Sequence, residues 1–165
     1  MELPDALDLP VGRLRALAPA DWGLDYALSR VPDVPRWTYY PADVSELEAR
    51  ARVARSIELR ADGRGGRFVV EVEAEPVGTI GISLRVDGPY LYYAFLPQGR
   101  GRGVATAATS ALTRWAFAHC AAEVHALTMV GNDSSERVLE RAGFTSTGLD
   151  VEPGGATVTH WVTRP

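Results

Sequence analysis

The chain predicts a mixed α/β domain with its strands gathered in a single sheet. Three observations carry that expectation. First, its 165 residues are 46% hydrophobic and 23% charged, the size and balance of one globular domain, here 1–165. Second, the hydrophobic period changes from 3.6 to two midway along the chain. Third, the run LPQGRGRGVAT at 96–106 alternates three glycines with two arginines and opens directly into an alanine-rich helical pattern.

The elements follow in order. GRLRAL (12–17) alternates and predicts a first strand. APADWGLDYALSR predicts a short helix, with Pro19 near its first turn, where proline is tolerated. The segment 31–41 holds three prolines and several aromatics and predicts irregular chain. A longer helix is expected over about 42–60, with Glu46–Arg50 and Glu48–Arg52 in favourable i,i+4 order. Strands are expected at 67–74, 77–86 and 90–96, joined by turns at EP (75–76) and DGP (87–89). In the helix after the glycine run, Val104, Ala107, Ala108, Ala111, Leu112, Trp115 and Ala118 share one face. EVHALTMV (123–130) is almost wholly apolar and predicts a central strand. DSSERVLERAGF predicts a short helix, capped by Asp133 or Ser134, with Glu136 closing a capping box and Gly143 ending it. Two last strands, about 144–151 and 157–163, flank EPGG.

Bulk properties exclude several functions. A formal net charge of -4 argues against nucleic acid as the main partner. All 17 basic residues are arginine, so neither a phosphate-gripping P-loop lysine nor a lysine nucleophile is available. The single cysteine, Cys120, can form no internal disulfide and reads as a buried thiol. MELPDALDLP is acidic and proline-bearing, unlike a signal peptide, and no run of 18 apolar residues exists. A cytoplasmic protein with no membrane partner is therefore expected.

A strand, a glycine-rich turn and a helix start make a phosphate cradle, because the first helical N–H groups lack intrahelical partners and sit at the positive end of the dipole. A dinucleotide G-x-G-x-x-G does not fit, since Thr106 and Val104 stand where the third glycine would fall.

In this setting Arg100, Gly103 and Ala105 resemble the R/Q-x-x-G-x-G/A signature of the GNAT N-acyltransferases, with Pro97 three residues before the arginine. Gln98, Gly101 and Gly103 fit the same signature shifted by two. GNDSSERVLERAGFTSTG (131–148) resembles the N-x-x-S-x-x-V-x-E-x-x-G-F block of the RimJ/RimL-type branch at Asn132, Ser135, Val138, Glu140, Gly143 and Phe144. LRALAPADW resembles that branch's opening, with Ala18 in place of the usual capping threonine. The resemblance covers nearly the whole chain.

It implies a GNAT-like single mixed sheet of about seven strands flanked by helices, the fourth and fifth (90–96 and 123–130) splayed apart. It implies transfer of an acetyl or related acyl group from acetyl-CoA, or another acyl-CoA, to a primary amine by direct attack in a ternary complex, without a metal. Pantetheine would pair with the fourth strand near Phe95 and Leu96. An N–H there would polarise the thioester carbonyl. The pyrophosphate would rest on the amides of Arg100, Gly101, Arg102, Gly103, Val104 and Ala105. Asn132 would bond the pantetheine arm or order water near the amine; a loop-turn role is the alternative. Ser135 would protonate the leaving thiolate, because Leu139 stands where many family members carry a tyrosine; its alternative is a helix-start residue that satisfies backbone.

Trp37, Tyr39, Tyr40 and Trp161 would wall the acceptor slot, or else belong to the core. Such a wall suits a small amine, an aminoglycoside-like compound or a protein N-terminus, and a homodimer stays open. The base is unassigned. Glu71, Glu73, Asp150, Glu152 and His160 are candidates against solvated or packed alternatives, while His119 and His125 lack metal-ligand spacing. A carrier-protein-dependent acyltransferase and a non-catalytic CoA sensor are the competing readings on this fold.

Overall fold

The computed structural model describes residues 2–119 and 121–165; the expectation for Cys120 lies outside them. One eight-stranded sheet runs in the order β1-β2-β3-β4-β5-β6-β8-β7. Its strands are β1 (Ala6–Leu9), β2 (Gly12–Ala16), β3 (Gly65–Val72), β4 (Glu75–Arg85), β5 (Gly88–Phe95), β6 (Val124–Met129), β7 (Thr145–Val151) and β8 (Thr157–Thr163). The helices are α1 (Trp22–Leu28), α2 (Asp33–Trp37), α3 (Glu46–Ala61), α4 (Val104–His119) and α5 (Asp133–Arg141).

The extra strand is β1, an antiparallel partner of β2. Its four residues lie inside an acidic, proline-bearing stretch whose composition conceals the alternation. α2 likewise forms inside the segment expected to be irregular, because Asp33–Trp37 holds its only proline one turn in. The turn after β3 falls at Glu73 and Ala74, not at 75–76. Both have positive φ, 53° and 65°, as a two-residue hairpin turn matching strand twist requires. Pro76 instead enters β4 opposite Glu71, beside a bulge.

Period two appears directly in the packing. Phe68 and Val70 join Ile80, Ile82, Leu112 and Trp115 on the α4 side. Val69 joins Leu24, Leu28, Val53 and Ala94 on the α1–α3 side. The sheet is therefore buried on both faces where these helices cover it. On α4, Ala118 is exposed and Ala116 is buried instead. The stripe takes in 112, 115 and 116, which is i, i+3, i+4.

α3 starts at Glu46 rather than near 42, because Ser45 and Glu48 form a capping box: Ser45 Oγ accepts from Glu48 N at 3.2 Å, and Glu48 Oε2 accepts from Ser45 N at 2.7 Å. Of the two expected i,i+4 pairs only Arg50–Glu46 forms, at 2.8 Å. The cap takes Glu48, and Arg52 turns to Asp25. α5 is capped by Asn132, not by Asp133 or Ser134. It ends in a Schellman motif: Phe144 N donates to Leu139 O and Gly143 N to Glu140 O, both at 3.0 Å, with Gly143 at φ 88°. Leu139 and Phe144 bury together in the α4-side core.

Candidate active site

β5 and β6 are parallel but pair only at Tyr90–His125 and Leu91–Ala126. Beyond those residues β5 follows β4 and β6 follows β8, so the sheet opens between them. Leu96 N donates to Val77 O at 2.9 Å. An antiparallel ladder alternates bonded and non-bonded pairs, so the main-chain groups of Tyr93 and Phe95 point the other way, into the opening. This corrects one expectation: the gap-facing amide is that of Phe95, and the Leu96 N–H is already held by β4.

The glycine run lies at the end of the opening. Gly101 and Gly103 have φ of 73° and 75°, and a Cβ on either would meet nothing within 4 Å. Backbone conformation, not crowding, makes them glycine. Gly99 is the converse: a Cβ there would lie 2.8 Å from both Val77 Cβ and Val77 O. Gly103 O accepts the α4 bond from Ala107 N at 2.9 Å. A glycine at that cap has no side chain to offer the following amides, so those of Val104, Ala105 and Thr106 are left for a ligand.

Arg100 is engaged within the chain: its N–H, expected among the cradle amides, donates to Pro97 O at 3.1 Å. Its guanidinium bonds Phe95 O through Nε (3.0 Å) and Nη2 (2.7 Å), and forks onto Asp33 at 2.6 and 3.0 Å. That fork holds the Asp33 carboxyl below its ordinary range. Arg100 thus ties the end of β5 to α2. Arg102 stands 3.9 Å from Glu73 on the exposed surface.

A cavity of about 470 Å³ runs through the opening, within the usual span for small-molecule sites. Asn132, Ser135, Leu139 and Tyr93 line it. Asn132 Oδ1 accepts from Ser134 Oγ (3.1 Å) and Ser135 N (3.4 Å), while its Nδ2 has no partner among the described residues. The Ser135 hydroxyl also has none among them. Tyr93, missed in the sequence, donates to Ser135 O at 3.2 Å. Burial pushes its phenol up to about 12 although that bond works the other way, so it is protonated at neutral pH.

Trp37, Tyr39 and Tyr40 do line the cavity. The Tyr40 hydroxyl bonds Asp25 and accepts from Arg67 Nη1 at 3.0 Å. The Tyr39 hydroxyl bonds Glu152, which pushes that phenol up to about 12. Trp161 lies in the core instead, its Nε1 donating to Thr128 Oγ1 at 2.9 Å. Behind Tyr40, the fully buried Asp25 accepts from Arg67 (2.7 and 3.2 Å) and Arg52 Nε (3.1 Å). Tyr92 lies over Gly81, where a Cβ would sit 2.3 Å from its ring. No motif pointed to this cluster. Its available signal was a charge, Arg67, opening an apolar strand, and Asp25 inside an apolar helix.

The base candidates are placed elsewhere. Glu71 holds Arg13 and Arg15 at 2.7 and 2.6 Å, and Glu73 sits in the β3–β4 turn. Asp150 accepts from Val151 N at 2.7 Å. Glu152 is engaged by Tyr39 and by Arg85 at 3.6 Å. His160 stacks on His125 with 3.2 Å between ring nitrogens; burial, with His125 beside it, lowers its pKa. None of the five lines the cavity. His119 Nδ1 lies 2.7 Å from Trp115 O. Among the described residues no three His, Cys, Asp or Glu side chains form a metal cluster, and no helix is long and apolar enough to cross a membrane.

Comparison with known proteins adds a family. A family model described as an acetyltransferase (GNAT) domain matches residues 13–145. No curated protein sequence matches the chain. Among solved structures, an apo crystal form of RimL, a ribosomal L7/L12 α-N-protein acetyltransferase, has a TM-score of 0.85 at 17% identity, covering 100% of both chains. The microcin C7 self-immunity acetyltransferase MccE, in complex with acetyl-CoA and AMP, gives 0.83 at 14%, covering 94% of this chain and 93% of its own. Mycobacterium smegmatis RimJ, in complex with CoA-disulfide, gives 0.80 at 21%, covering 99% of this chain and 90% of its own. At these identities the likeness is one of fold. The family match spans most of the sequence, from β2 to the start of β7: the chain belongs to the GNAT acetyltransferase family.

Proposed function

We propose that this chain moves an acetyl group from acetyl-CoA to a primary amine by direct attack within a ternary complex. The observation that carries the reading is the opening between β5 and β6, with an uncapped helix N-terminus behind positive-φ glycines at one end and a cavity lined by Asn132 and Ser135 along it. The backbone amides of Gly101, Arg102, Gly103, Val104 and Ala105 receive the pyrophosphate. The Phe95 N–H meets the pantetheine arm or the thioester carbonyl. Acetyl-CoA supplies the activated acyl group. As the new N–C bond forms and the C–S bond breaks, the Ser135 hydroxyl relays a proton, passing its own to the departing sulfur and taking up the one that the attacking nitrogen loses, while Asn132 Nδ2 holds the arm in place. RimL by its name acts on a protein N-terminus, and MccE was captured with AMP; a protein N-terminus and a small-molecule amine are both acceptors of the kind this chain would use.

The test is a panel of amines with acetyl-CoA, followed by free thiol release. Turnover with any amine excludes a non-catalytic sensor, and none with acetyl-CoA sinks the reading. Given a working amine, Ser135→Ala should lower kcat by roughly tenfold to a hundredfold, the low end for a general acid because a thiolate leaves with little help. CoA affinity should hold. An unchanged kcat below neutral pH would make Ser135 structural.

A further inference from the structure

The charged lining of the cavity has the wrong sign for a polycationic acceptor. Four arginines line the cavity, Arg52, Arg64, Arg67 and Arg85, and among the described residues no aspartate or glutamate does. Part of that charge is answered from behind. Asp25 takes Arg67 through both terminal nitrogens, and Glu152 stands 3.6 Å from Arg85. Arg64 is exposed, and its side chain has no partner among the described residues.

Arg52 differs from the rest. Its Nε donates to Asp25 Oδ2 at 3.1 Å, and its guanidinium lies over the Tyr40 ring, 4.3 Å from the centroid. Two contacts therefore fix the plane of the group. Its Nη1 and Nη2 bond nothing among the described residues, and the side chain keeps 23% of its surface exposed. A planar guanidinium held from behind with its outer edge open is a fork for a carboxylate or a phosphate. Asp25 cannot neutralise it fully, because one carboxylate faces two guanidiniums.

Taking the acetyltransferase reading as given, we propose that the acceptor is a small molecule carrying an oxyanion, carboxylate or phosphate, beside its amine, and that Arg52 is the residue that selects it. Trp37, Tyr39 and Tyr92 also line the cavity and supply apolar surface. The amine then lies toward Ser135 and Asn132 while the oxyanion lies toward Arg52.

Matched probes test this. Thiol release from acetyl-CoA is followed with L-phenylalanine, L-phenylalaninamide and phenethylamine, with O-phosphoethanolamine against ethanolamine, and with spermidine as the polycation. Separately, calorimetry on CoA-saturated protein compares N-acetyl-L-phenylalanine with its amide, and phosphoethanolamine with ethanolamine. Wild type should favour the oxyanion-bearing member by roughly tenfold to a hundredfold, mostly in KM and Kd. The favoured pair tells carboxylate from phosphate. Arg52→Gln should bring that ratio near one, and Arg52→Lys should restore part of it. Asp25 keeps Arg67 and Tyr40 in both variants, and melting curves check the fold.

The proposal fails if spermidine or the neutral members do as well as their charged partners, if Arg52→Gln weakens both members equally, or if no oxyanion-bearing probe binds. Oxyanion-selective binding without thiol release from any amine would sink acetyl transfer and leave this site standing. Thiol release without selectivity would do the reverse.

Discussion

Two carboxylate–arginine clusters flank the α1 end of this sheet, and they are built to opposite ends. Glu71 lies against Arg13 and Arg15, and Arg15 reaches on to Asp21 at 2.7 and 2.8 Å. Arg13 leaves its two terminal nitrogens unbonded among the described residues, but its side chain is 55% exposed and the cluster lies off the cavity. Asp25 has the same chemistry around it, two arginines on one carboxylate, but both arginines line the cavity and one keeps its terminal nitrogens open. One ionic cluster joins β2 to β3 with its spare guanidinium nitrogens in solvent, whereas the other has its spare nitrogens on a residue that lines the cavity. Buried ion pairs add little net stability, because desolvation offsets attraction. The reason to keep Asp25 where it is must therefore be sought in what it positions.

The largest effect should come from removing that centre. Asp25→Ala leaves Arg67, 6% exposed, without its carboxylate. Breaking a buried pair from one side costs about 3–5 kcal/mol, or roughly 10 °C in a domain of this size. Urea unfolding reads it directly. A loss under about 1 kcal/mol would mean that Arg67 relaxes into the cavity, and the contrast between the clusters would dissolve.

Glu71→Gln should cost less, about 1–2 kcal/mol, because Arg13 and Arg15 keep contact with water. Acidity sharpens the test. Burial alone would raise the Glu71 pKa, but the bonds from Arg13 and Arg15 outweigh it and lower it below 4.5. A depressed carboxyl contributes stability above its unfolded pKa and loses it as pH falls through the folded one. The gap between wild type and variant should hold from pH 7 down to about 4.5, then shrink. Turnover at pH 7 should not change. A gap independent of pH would show that packing, not charge, was lost.

The clusters also mark where sequence reasoning stopped. Strands β3 to β6, the helix after the glycine run and the stop at Gly143 were legible because periodicity and turn chemistry are local. So was the glycine turn that leads into α4, since Gly101 and Gly103 do adopt positive φ directly before the helix start. Arg52 was read as a partner of Glu48 by i,i+4 spacing. The capping box at Ser45 took Glu48, and only the tertiary approach of α1 brought Asp25 within reach. Residues 25, 52 and 67 come from two helices and a strand, and no spacing links them. The Arg100–Asp33 pair was hidden for the same reason, since its two members lie 67 positions apart.

Arg100 and Asp33 provide the smallest expected effect on stability and the finest test of the distinction. Their side chains are 39% and 44% exposed, and exposed pairs contribute about 0.2–1 kcal/mol. Arg100→Ala and Asp33→Asn should both unfold near the wild-type midpoint, with the difference narrowing further in salt. Their effects on ligands separate two roles. If Arg100 is a strut, it holds α2, and with it Trp37, against the end of β5. Either substitution should then raise the acceptor KM by a similar, few-fold factor, and CoA affinity should move less than about tenfold. If Arg100 instead left Asp33 to bind phosphate, Asp33→Asn would free the guanidinium and tighten CoA, while Arg100→Ala would weaken it by up to a hundredfold. Calorimetry of CoA on the two variants decides, because the strut predicts shifts of the same sign and the phosphate ligand predicts opposite ones. The geometry favours the strut: all four side-chain hydrogen bonds made by Arg100, two to Phe95 O and one to each Asp33 carboxylate oxygen, are between 2.6 and 3.0 Å. A phosphate would have to displace a formed carboxylate fork, an exchange of one charge-assisted pair for another with little net gain.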